Sequence, residues 1–151
     1  MSRTSPTCCR ADRSAVQVCQ GEGWRLVIDP ARHPFGVLIG GRDWAAELST
    51  EELLVLGRAI GCLRTQHTAL VDQLMAEESL ELDLELPLGL AGSLWMALEG
   101  DRQDWALRFV LTPAAGVRAF EGAWSAAASA AVSAALEELM GTGDSVPAAT
   151  V

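Results

Sequence analysis

The chain has 151 residues, half of them hydrophobic, and a formal net charge of −9 at pH 7. That length suits one domain with a real core. Its apolar content excludes a disordered acidic chain, and no apolar run approaches the ~18 residues of a membrane span. The charge is local: residues 65–101 contain eight carboxylates and no arginine, while the rest of the chain holds 12 carboxylates against 11 arginines.

Residues 1–14 and 141–151 are rich in Gly, Ser, Thr, Pro and Ala and are expected to be flexible tails. A single domain is expected over 15–140. No apolar stretch follows the N-terminal arginines to form a secretory signal, so the expected compartment is the cytosol. The cysteines are Cys8, Cys9, Cys19 and Cys62. None has Cys-x-x-Cys spacing, and reduced thiols are expected in a reducing compartment. The chain lacks lysine, tyrosine and asparagine.

Strands are predicted at 15–19, 24–28, 36–40 and 44–48. Asp29-Pro30 and His33-Pro34 mark a loop, and Gly40-Gly41 is expected to supply the positive φ angles of a tight hairpin. Ser49-Thr-Glu-Glu52 has the Ser-x-x-Glu pattern of a capping box. The helix behind it is predicted to run to about residue 77. Leu53, Leu56, Ile60, Leu63, His67, Leu70 and Leu74 recur at spacings of three and four along one face. Such a helix would measure about 40 Å and overhang a sheet of short strands. Leu63, His67, Leu70 and Leu74 would then form a dimer surface. Gly57 and Gly61 mark a close approach to a neighbouring element, either the sheet or a helix of a second subunit.

Residues 80–86 alternate leucine with carboxylate. That is the period of a strand, which puts the leucines on a core face and Glu81, Asp83 and Glu85 on the other. Further strands are predicted at 94–99, 105–111 and 117–124, with turns at 87–89, 100–101 and 113–116. Ser125 caps an alanine-rich helix to about residue 140, and Gly141 is placed to end it. Strands then helix occur twice, so the fold class is α+β: a duplicated antiparallel strands-then-helix unit with two helices packed on the sheet.

Several stretches are similar to a small cyanobacterial family, the domain-of-unknown-function family 1818. They are Gly21-Glu-Gly-Trp-Arg-Leu26, Val37-Leu-Ile-Gly-Gly41, Asp43-Trp-Ala-Ala-Glu-Leu48, Trp105-Ala-Leu-Arg-Phe109 and Glu121-Gly-Ala-Trp124. The resemblance covers roughly residues 16–139. It implies a fold similar to the Whirly type of single-stranded-DNA-binding regulator, and no transferable activity. Whirly proteins carry a Lys-Gly-Lys-Ala-Ala-Leu motif at their binding surface; this chain has no counterpart, so no binding residue carries over.

Single-strand binding needs a cationic groove and aromatic platforms. The five tryptophans, Trp24, Trp44, Trp95, Trp105 and Trp124, lie on or beside predicted strands. Arg25, Arg108 and Arg118 are candidates for the polar sheet face, together with Glu81, Asp83, Glu85 and Glu99. Cross-strand ion pairing explains these residues more simply than a groove, and core packing explains the tryptophans. Successive carboxylates on a strand stand about 6.6 Å apart, a separation used in two-carboxylate catalysis. No Asp-x-Asp-x-Asp-Gly loop accompanies them, and a solvated face suffices. His67 lies on the apolar helix stripe and His33 in a proline-rich loop, with no nucleophile motif nearby. No catalytic residue, cofactor or metal is expected. The expected function is a non-enzymatic interaction module with a protein partner, a basic one or a second copy of itself. The alternative is single-stranded nucleic-acid binding by fold analogy. No membrane partner is expected. Glu81, Asp83, Glu85, Glu99, Arg25 and Arg108 form the candidate interaction face.

Overall fold

The computed structural model describes residues 15–141, and the statements that follow concern those residues. The expected N-terminal tail, and the expected C-terminal tail beyond Gly141, lie outside them. The elements in chain order are β1 (Gln17–Gly21), β2 (Trp24–Ile28), β3 (Val37–Gly40), β4 (Ala45–Leu48), α1 (Thr50–Val71), β5 (Leu80–Leu88), β6 (Gly92–Gly100), β7 (Trp105–Thr112), β8 (Phe120–Ala123) and α2 (Ala126–Gly141). The protein is α+β, with the strands-then-helix unit occurring twice. The strands form two four-stranded antiparallel sheets, β1-β2-β3-β4 and β5-β6-β7-β8, each in sequential order.

Both helices start on a serine. The Ser49 hydroxyl accepts from the Glu52 amide at 3.2 Å, and the Glu52 carboxylate accepts from the Ser49 amide at 2.7 Å, the reciprocal pair of a capping box. Ser125 accepts from the Ala128 amide at 3.2 Å. Helix α1 ends at Val71, earlier than predicted, so its 22 residues span about 33 Å rather than 40 Å. The residues that follow, Asp72 to Ser79, turn back toward β5, so the leucine spacing through Leu74 continues beyond the helix that it suggests. Gly141 does not stop α2 but is its last residue. The φ angles at Gly40 and Gly41 are not positive, contrary to expectation; the positive-φ glycines are Gly23, Gly89 and Gly116. At Gly41 the hydrogen side chain is needed because a Cβ would run into the Trp44 indole.

Helix α1 crosses over. It meets its own sheet mainly at β4 and packs chiefly on β5 and β6 of the second sheet. Helix α2 packs on β7 and also on β1 and β2. The apolar stripe of α1 therefore meets the leucine face of β5 and β6, and one core collects side chains from both sheets and both helices. Register puts Leu82, Leu98 and Leu107 in one rung of that face, and Leu84, Met96 and Phe109 in the next.

Two tryptophans tie the sheets together reciprocally. Trp44 Nε1 donates to the Ala123 carbonyl at 2.9 Å, and Trp124 Nε1 donates to the Gly40 carbonyl at 2.9 Å. The Trp44 ring lies 5.3 Å from Trp124, 5.6 Å from Phe120 and 5.7 Å from Phe109, centroid to centroid. Gly122 makes room for this cluster: a Cβ there would stand 2.7 Å from Trp44 and 2.8 Å from Phe109. Ser129, fully buried, accepts from the Leu107 amide at 2.9 Å and donates to the Trp124 carbonyl at 3.3 Å, anchoring α2 on β7.

Trp124→Phe leaves the buried Gly40 carbonyl without its indole donor, a loss of about 1–3 kcal/mol. Gly122→Ala overpacks the ring cluster at about 1–3 kcal/mol. Both variants are expected to lower the urea midpoint with an unchanged denaturant slope. Unchanged midpoints would show that the sheets are held together elsewhere.

Candidate functional site

Leucines face inward on the second sheet, and its outer face carries the carboxylates. Residues opposite each other in register form three outer rungs. Glu81 stands beside Glu99 and Ala106; Asp83 beside Ala97, Arg108 and Ala123; Glu85 beside Trp95, Val110 and Glu121. Glu81 and Glu99 are directly opposite, a like-charge pair that disfavours the ladder locally. Arg108 offsets it, with its guanidinium 2.8 Å from Glu81 and 4.8 Å above the Trp95 ring. Trp95 Nε1 donates to Asp83 at 3.1 Å. This polar layer lies over Ala97, which has no exposed surface although it faces away from the core.

The face therefore holds five carboxylates, Glu81, Asp83, Glu85, Glu99 and Glu121, against one arginine. Glu81 and Asp83 are engaged by Arg108 and Trp95. Exposed ion pairs of this kind contribute roughly 0–1 kcal/mol.

Two expected members of the candidate face lie elsewhere. Arg25 is on β2, opposite Gln20 and Gly40 on the outer side of the first sheet, and does not share a sheet with Arg108. Arg118 precedes β8 in an exposed turn, because that strand begins at Phe120 and not at residue 117. Glu81, Asp83, Glu85, Glu99 and Arg108 do come together. Trp95 sits at their centre, a place that only the register reveals: Trp95, Ala97 and Glu99 alternate outward opposite the carboxylate row. Four tryptophans, Trp24, Trp44, Trp105 and Trp124, belong to the core or pack against it.

The helix stripe divides. Leu63 is fully buried and His67 nearly so within the chain's own fold, while Leu70 is exposed and Leu74 lies past the helix end. The overhang expected from a longer helix is absent, since the helix stops at Val71. His67 Nε2 donates to the Asp101 carbonyl at 2.9 Å, and its ring lies 6.5 Å from Trp105. Arg64 covers the same tryptophan at 5.3 Å and pairs with Glu137 at 3.2 Å. The Met140 side chain of α2 covers Gly57, and Gly61 meets nothing within 4 Å. Between the helices runs a groove of about 750 Å³ past Gly57, Gly61, Arg64 and Met140.

Among the described residues, no group of three or more His, Cys, Asp or Glu side chains could hold a metal ion. No described helix is long and apolar enough to cross a membrane. Cys62 is free and exposed. Cys19 is buried in the core. Cys8 and Cys9 lie outside the described residues.

Asp101 stiffens the turn between β6 and β7. Its carboxylate accepts from the backbone of Asp104 at 2.9 Å and of Gln103 at 2.8 Å. The Asp104 amide, then the Gln103 amide, and less strongly nearby His67, hold the carboxyl below the usual carboxylate range. The folded state therefore binds this proton less readily than the unfolded chain. The stability involved is present above the unfolded pKa of about 4 and is lost as pH falls through the lower folded value. Asp101→Asn is expected to lower the urea midpoint at pH 7, and the difference from wild type is expected to close well below pH 4. A difference independent of pH would contradict this account.

The comparison with curated proteins finds no match. A solved structure of a protein of unknown function from Prochlorococcus sp. NATL2A, described as a DUF155 family member, is 32% identical with a TM-score of 0.73; the match covers 80% of this chain and 96% of that one. The family model for the domain of unknown function DUF1818 matches residues 19–139, from the core cysteine of β1 nearly to the end of α2. The chain therefore belongs to the DUF1818 family.

Proposed function

We propose that the protein is a non-enzymatic interaction module whose outer second-sheet face binds a basic segment of a partner protein. The observation that carries the proposal is the exposed row Glu81, Asp83 and Glu85, extended across the sheet by Glu99 and Glu121 and centred on the half-buried Trp95. A rigid antiparallel sheet holds these groups at fixed spacing, so a basic partner loses little of its electrostatic gain to reordering the site. Complementary charge of this kind governs partner choice and association rate more than affinity.

The cytosol is the compartment of this proposal, in keeping with the free, exposed thiol of Cys62. Self-association through α1 has only Leu70 and Leu74 of the helix stripe to work with. A second reading, single-stranded nucleic-acid binding on a Whirly-like frame, is favoured by Trp95 with Arg108 stacked on it. Against it, that tryptophan is hydrogen-bonded to one carboxylate and surrounded by others, which repel a phosphate backbone over about a Debye length, ~8 Å at physiological salt.

A fluorescent lysine-rich peptide titrated in anisotropy at ~50 mM salt, where electrostatic binding is strong, separates the two. The peptide is expected to bind wild-type protein and to lose at least tenfold in affinity toward the combined variant Glu81→Gln, Asp83→Asn, Glu85→Gln. A mixed-sequence single-stranded oligonucleotide is expected to show no complex in the same buffer. Equal peptide affinity for variant and wild type would sink the acidic-face proposal. A tight oligonucleotide complex would favour the second reading.

A further inference from the structure

We infer that the free edge of β5 is a docking site at which an extended partner segment, alternating basic and apolar residues, adds a fifth strand to the second sheet. The inference rests on the acidic-face proposal and specifies how the partner binds. Three observations carry it. First, β5 is nine residues long and terminal in its sheet, paired only with β6, and no other backbone hydrogen bond among the described residues reaches it. A strand of that length exposes a row of unpaired amides and carbonyls along one side, a template for strand addition. Second, the inward leucines of this strand, Leu80, Leu82, Leu84 and Leu86, are only half-buried, unlike Leu94, Met96 and Leu98 beside them on β6, which have no exposed surface. The core therefore continues to the rim of the sheet and leaves apolar surface for one more strand to cover. Third, Glu81, Asp83 and Glu85 are exposed along the same edge.

These features select the occupant. An added strand places one set of alternate side chains beside the leucines and the other beside the carboxylates. The first set must be apolar and the second cationic. A second copy of the chain does not satisfy this. Antiparallel pairing of two β5 strands about a two-fold axis sets carboxylates against carboxylates in one class of registers, and in the other turns leucines onto the carboxylate face. Pro87 lacks an amide hydrogen and restricts the docking ladder to about residues 80–86. Its presence suits an edge strand and not a central one.

The test uses two nine-residue peptides of identical composition, one alternating lysine with valine and one with its lysines in a single block. Binding is read by anisotropy, and residue-resolved amide exchange is followed on the full chain. The alternating peptide is expected to bind at least tenfold more tightly than the blocked one and to slow exchange at least tenfold at every second amide of β5. Binding should weaken at least tenfold in the Glu81→Gln, Asp83→Asn, Glu85→Gln variant. Equal binding of the two peptides without protection of β5 would overturn strand addition while leaving the acidic face as a binding surface. Failure of both peptides to bind would overturn the acidic-face proposal and strand addition with it. Protection of the same amides in the protein alone, together with a dimer in light scattering, would assign the edge to a second copy and overturn the inference.

Discussion

The reciprocal hydrogen bonds of Trp44 and Trp124 are the constraint around which the rest of the molecule is arranged. Each indole reaches from one sheet to a backbone carbonyl of the other, so neither sheet can shift without breaking both bonds. The bonds gain strength from their surroundings. The rings of Phe109 and Phe120 lie against the same pair, and aromatic contacts contribute about 0.5–1.5 kcal/mol beyond the area they bury. Gly122 is the residue that permits this contact, because β8 must pass directly beneath the rings.

With the sheets locked at β3, β4 and β8, the remaining surfaces are assigned by side-chain period. The second sheet turns its leucines to α1 and its carboxylates outward, so its charge is a by-product of core formation only in part. A strand needs polar residues on its wet face, but it does not need them all to be acidic. Glutamate opposite glutamate at residues 81 and 99 costs the ladder something, and a single arginine nearby offsets it. An edge strand with a charged row and a proline near one end is also protected against pairing with copies of itself. That protection leaves room for selective pairing with a segment of opposite charge.

Much of the fold was legible in local pattern. The period-two run at 80–86 predicts its strand and both of its faces, and Ser49 with Glu52 predicts the start of α1 to the residue. These signals are short-range, governed by alternation and by capping geometry. The end of α1 was not legible, since Leu70 and Leu74 keep helical spacing after the chain has begun to turn. The division of strands between two sheets, the crossing of α1 to the far sheet and the pairing of Trp44 with Trp124 depend on contacts between residues tens of positions apart. The site was legible in its carboxylates and Arg108, which share one sheet. The place of Arg25 is not legible, because strand membership says nothing about which sheet a strand joins, and neither is that of Trp95, whose role depends on register across β5 and β7.

The crossing of α1 has a consequence for how the two halves relate. A duplicated unit invites the view that each half is a module able to exist by itself, with its helix covering its own strands. Here the first half lends its helix to the second, and α2 reaches back onto β1 and β2. Separated between α1 and β5, neither fragment would have a complete core: the first would lose the sheet that its helix covers, and the second would lose the cover on β5 and β6. The repeat is thus a repeat of pattern and not of autonomous parts.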